Sequence, residues 1–170
     1  MPMPFTPLHL GPALAVGLPL KKYIHLPTFI VANVILDIEP LIVLMFGLDY
    51  PLHGYLHTFL SAITVGLLLG FTMFKIERPL KGLYLKIQLE TGKTLPLTSF
   101  LIAGVFGAAL HVIFDALLYP EMHPLFPLAT NPFLGFHVSS LSVFLLCFWL
   151  GILALLYYAS SLAYLWFKKR

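Results

Sequence analysis

Charge is scarce in this chain: only 10% of its 170 residues are Asp, Glu, Lys or Arg, against 59% that are hydrophobic. A water-soluble domain carries about a quarter charged residues, so a solvated globule is excluded. The mean hydropathy of +0.93 agrees. Cysteine is scarcer still. The single thiol, Cys147, rules out an intrachain disulfide and a cysteine-based zinc cage, and its surroundings of Phe, Leu and Trp predict a buried, inert sulfur. Also lacking is the basic stretch that opens a signal peptide, so the first apolar segment is expected to stay in the mature protein. No internal repeat of the transporter kind is visible. The formal charge of +3 does not point to nucleic acid, because the basic residues cluster at segment ends, as membrane topology requires.

What is present is a series of long apolar runs. They predict an all-α integral membrane helical bundle of about five segments, each near 20 residues, forming one domain over 1–170. Segment one, 6–20, is short and carries Pro7, Pro12 and Pro19, which predicts a kink or a partly re-entrant course. Segment two, 23–48, is broken by Asp37-Ile38-Glu39-Pro40. Segment three is expected to start at Asp49-Tyr50-Pro51, as N-cap and first-turn proline, and to run to Phe74. A polar loop over 75–95 follows, either a short strand pair or a surface stretch. Segment four covers 96–119, a stiff Pro-rich loop 120–138, and segment five 139–167.

With the N-terminus outside, all ten Lys and Arg residues fall on the cytoplasmic side, including the 75–95 loop and the C-terminal Lys168-Lys169-Arg170. A multi-pass protein of the cell membrane is expected. Helical rise then sets depths. His111 and Asp115 lie about 22 and 28 Å from the inner end of segment four, and Asp37 about 20 Å from that of segment two. His9 and His57 fall within roughly one turn of the outer ends of their segments. Four segments thus bring ionisable groups to one outer layer.

His111 and Asp115 are four residues apart and share a helix face. Such a pair could be a polar contact between helices, or half of a metal site. Imidazole and carboxylate together with His9, Asp37 and His57 favour a divalent cation, zinc fitting best, with room for one or two ions. Glu39 is a candidate ligand, a general base or a helix cap. His53, four residues before His57, is a candidate for supporting a ligand or facing substrate; His123 and His137 are weaker candidates for the same roles. His25, near the cytoplasmic end, is expected to play no part.

The order Thr6-Pro7-Leu8-His9, Leu36-Asp37-Ile38-Glu39-Pro40, His53-Gly54-Tyr55-Leu56-His57 and His111-x-x-x-Asp115 resembles the membrane-bound metal-dependent hydrolases described as LexA-binding and inner membrane-associated. It is also similar to the ligand order of zinc-dependent phospholipase C. That likeness implies His9, Asp37, His57, His111 and Asp115 as ligands, Asp115 bridging if there are two ions. Those soluble enzymes continue to an H-x-x-x-E pair, whereas here Leu141 follows His137, and their N-terminal Trp ligand is replaced by Met1. The expectation is a metal-dependent hydrolase of phosphoesters or lipid headgroups, with Asp37 or Glu39 as base and a membrane lipid or other amphiphilic phosphoester as substrate. A metal or proton transporter, and a scaffold held by a structural metal, are the alternatives.

Overall fold

The computed structural model describes residues 7–168. Six helices make five membrane-directed segments: α1 Leu10–Leu20, α2 Leu26–Ile35, α3 Ile38–Phe46, α4 Phe59–Lys86, α5 Leu97–Ala116 and α6 Ser140–Lys168. Among the described residues there is no strand. Four stretches are long and apolar enough to cross a bilayer, with α2 and α3 together forming one of them. The protein is a multi-pass membrane bundle. Thr6, the expected first residue of segment one, and the terminal Lys169 and Arg170 lie outside the described residues.

The α1 helix has 11 residues, about 16 Å of rise, and so reaches only halfway through a core of about 30 Å. A 3-10 turn, Pro7–His9, precedes it and puts His9 at the helix's first turn. Segment two is broken as its sequence predicts. Pro40 has no N–H to give Leu36, so the Leu36 carbonyl accepts from the Glu39 amide at 3.0 Å, and Asp37 closes a tight turn on Val34 at 3.1 Å. Asp37 therefore stands in the break between α2 and α3.

Two expected boundaries are corrected. Segment three does not begin at Asp49-Tyr50-Pro51: α4 starts at Phe59, capped by the Thr58 hydroxyl, which accepts from the Ser61 amide. The amides of residues 54–56, which a helix would have satisfied, are taken by side chains. Glu39 accepts from the amides of Gly54 and Leu56, and the Tyr50 hydroxyl accepts from the Tyr55 amide. Nor is 75–95 a loop throughout. The α4 helix continues through Pro79 to Lys86, helped by a Glu77–Lys81 pair at 3.3 Å one turn apart, and only its tail is irregular.

The α5 helix is the centre of the bundle, packed between α4 and α2, while α6 lies at the edge against α1. Small residues allow the close approaches. A Cβ on Gly104 would run into the backbone of Gly66, and one on Gly107 into that of Phe29. At one end of the bundle the Lys21 ammonium bonds the Gln88 carbonyl and the Tyr158 hydroxyl bonds that of Ile87. At the other end α1 starts, segment two breaks, α4 starts and α5 finishes.

Candidate metal centre

Five side chains from four segments meet at that second end. His111 and Asp115 come from the last turns of α5, Asp37 from the break, His57 from the 3-10 turn before α4, and His9 from the turn before α1. All are at most 4% exposed. The Nε2 atoms of His57 and His111 face each other at 3.3 Å. Asp115 Oδ2 lies 3.0 Å from His111 Nε2 and 3.5 Å from His57 Nε2, and Asp37 Oδ1 lies 3.6 Å from His111 Nε2. One donor atom from each of Asp37, His57, His111 and Asp115 fits within 4.8 Å of the others. Four ligands about 2 Å from a tetrahedral ion stand roughly 3.3 Å apart, so the spacing suits a cation. His9 joins through the other oxygen of Asp115, its Nε2 being 3.0 Å from Oδ1.

The chemistry of the donors supports the same fit. His57 Nδ1 is 2.7 Å from Glu39 Oε2. An ionised carboxylate only accepts, so Nδ1 carries the proton and the lone pair on Nε2 turns to the cluster. This carboxylate–imidazole arrangement is the usual support of a metal-bound histidine. Two imidazole nitrogens pressed together beside two carboxylates leave donors and acceptors poorly matched. Asp115 Oδ2, for one, is buried and, although 3.0 Å from His111 Nε2, makes no well-aligned hydrogen bond among the described residues. A divalent cation would resolve both problems at once.

Glu39 is a hub. Its Oε1 accepts from the Tyr50 hydroxyl and the Leu56 amide, and its Oε2 from the Gly54 amide and His57. His53 and His57 are not one turn apart on a helix, as their spacing suggested, yet their rings meet edge-on at 4.9 Å. The His53 ring stacks on Tyr119 at 3.7 Å, and its Nδ1 lies 3.3 Å from Glu121 Oε1. Burial pushes the His53 imidazole below its ordinary range. A cavity of about 290 Å³ opens beside it, lined by Tyr50, Tyr55, Glu121, His123 and Phe126 among others. His123 is thus brought to the cavity and not to the cluster, while His137 is exposed, in a left-handed conformation, beyond the 3-10 turn Pro132–Phe136.

Tyr50, Tyr119 and Glu121 were not singled out by the sequence. A tyrosine or glutamate at a membrane boundary is ordinary, and only the hydrogen bond from Tyr50 to Glu39 gives the first of them a role. His25 is a second surprise. It is fully buried, stacked on Phe100 at 4.0 Å, with Nε2 2.7 Å from Glu90 Oε1. It belongs to the end opposite the cluster. Comparison with family models, curated proteins and solved structures returns no match.

Proposed function

We propose that the protein is a membrane-embedded, metal-dependent hydrolase acting on phosphoesters of amphiphilic molecules. The observation that carries this reading is the buried convergence of two imidazole nitrogens and two carboxylates at ligand spacing. His57, His111, Asp37 and Asp115 would hold the cation, with His9 bound to Asp115 or completing a second position. Zinc suits the donor set best. The chemistry such a cation supplies when bound is Lewis acidity toward a phosphoester oxygen and toward water. Of the two carboxylates expected to take up a proton, Glu39 already accepts four hydrogen bonds, which leaves Asp37. Glu39 then fixes the ring of His57 instead of moving a proton. The similarity in motif order to membrane-bound hydrolases and to zinc-dependent phospholipase C favours the same reading.

The basic residues favour placing the cluster at the outer face. Lys21, Lys86 and Lys168 close α1, α4 and α6 or follow them directly, away from the cluster, as an inside-positive topology demands. Because Cys147 is buried, a cysteine placed at His123 should react with an impermeant maleimide from outside intact cells, and one placed at Thr91 should not. The reverse pattern removes the outward assignment.

Elemental analysis of the purified protein should find at least one equivalent of metal. It should be lost from His111→Ala and Asp115→Ala, along with turnover of a phospholipid and phosphomonoester panel. Bound metal with no turnover across that panel would favour a structural ion, a reading to which the near-complete burial of the cluster lends some weight.

A further inference from the structure

The cavity beside the cluster has a chemistry of its own. Three aromatic rings, Tyr50, Tyr55 and Phe126, line it together with the carboxylate of Glu121, and neither lysine nor arginine is among its lining residues. An anion would find no fixed positive charge there. Aromatic faces and a carboxylate, by contrast, are what stabilises an organic cation, through ring quadrupoles and a direct charge. We infer that this cavity binds an organic ammonium group, and that the substrate of the neighbouring cluster carries one.

The walls are built to hold shape. The Tyr50 hydroxyl is fixed between Glu39 Oε1, to which it donates at 3.1 Å, and the Tyr55 amide, from which it accepts at 2.9 Å. Gly54 leaves the room that Tyr50 occupies, since a Cβ there would strike the tyrosine ring. Tyr55 meets Phe126 edge to face at 5.2 Å, making a corner of two rings. Glu121 keeps its side chain 45% exposed while its Oε1 rests 3.3 Å from His53 Nδ1, so its charge remains available to the cavity. The separation is right as well. The His53 ring touches both Glu121 and His57, so the cavity borders the cluster through one imidazole. A phosphoester joined to an ammonium by a short linker, as in an amino-alcohol headgroup, would span that distance. A volume of about 290 Å³ accommodates a headgroup but not an acyl chain, which would stay in the surrounding lipid.

The inference rests on the hydrolase reading for what the cluster does, but not for what the cavity holds. Metal-free protein in neutral detergent is therefore titrated calorimetrically with tetramethylammonium, choline and inorganic phosphate. Saturable binding of the two ammonium ions and none of phosphate is expected. Glu121→Gln and Tyr55→Leu should each weaken it by about 5- to 25-fold, and Tyr55→Phe should restore it. Metal stoichiometry measured on the reloaded variants should be unchanged, which separates a lost binding wall from a lost fold. Short-chain phosphatidylcholine, run beside choline, separates a lipid headgroup from a free amine by whichever binds more tightly. No saturable ammonium binding, affinity indifferent to Glu121→Gln and Tyr55→Leu, or a preference for phosphate overturns the proposal. Ammonium binding without any turnover leaves the cavity assigned and removes the hydrolase. Equal turnover of esters with and without an ammonium, with no choline bound, does the opposite.

Discussion

Glu39 shows how much one side chain decides here. Its two oxygens receive four donors, three from the 50–57 loop and one from the His57 ring, so it both shapes the loop and selects the imidazole tautomer. Glu39→Gln replaces one accepting oxygen with a donor group, which at the Oε2 position conflicts with both the His57 Nδ1–H and the Gly54 amide. The relief is to move the imidazole proton to Nε2, which removes the lone pair from the cluster. We expect metal affinity to fall about 10- to 100-fold, with helical content near that of the parent; competition with a chromogenic chelator measures it, and an unchanged affinity would refute the support assigned to Glu39. Glu39→Ala should instead lower stability by about 2–4 kcal/mol, because it leaves donors unpaired. The residues of the cluster were legible in the sequence because an ionisable group in an apolar run is conspicuous. Tyr50 and Glu121 were not, since their importance lies in what they touch.

At the scale of elements, the decisive device is a single proline. Pro40 denies Leu36 its normal partner, so segment two breaks and Asp37 turns toward α5. Pro40→Ala should allow a continuous helix from Leu26 to Phe46, rotating Asp37 away from His111. Metal affinity should drop on the order of tenfold while thermal stability holds or rises, because alanine favours the helix. A joint loss of both would mean that Pro40 acts by packing instead. The break was readable from the sequence because proline's effect is local. The start of α4 was not. Asp49-Tyr50-Pro51 satisfies every local rule for a helix N-terminus, yet the loop's donors are claimed by Glu39, which is far off in sequence. The tail of segment three went the other way: its polar residues suggested a loop, but a helix emerging from a bilayer turns polar without ending.

The whole molecule is polarised, with the buried His/Asp cluster at one end and basic residues at the other, and that other end has its own buried pair. His25 Nδ1 accepts from the Thr28 amide and hydroxyl, so its Nε2–H is directed to Glu90, which pins the 87–96 loop against α2 and α5. Burial pushes the His25 imidazole down to about 4, with the ammonium of Lys81 adding to the effect. The other titratable neighbours are Tyr84, whose ring lies 5.7 Å away, and Glu90 itself, which burial pushes up. Well above pH 6.5 His25 is neutral whether the chain is folded or not, and contributes no pH dependence. As pH falls from 6.5 toward about 4 the unfolded chain takes up a proton that the folded one refuses, so stability declines across that window. Glu90 runs the opposite way, protonating sooner when folded, and offsets part of the loss at the acid end. Between pH 7.5 and 5.5 the His25 contribution is about 1 kcal/mol, a few degrees of melting temperature. Melting of the metal-loaded protein at both values, beside His25→Gln, isolates it from the histidines of the cluster. The parent should lose more stability on acidification than the variant; equal losses would show that the buried imidazole is not what senses the proton.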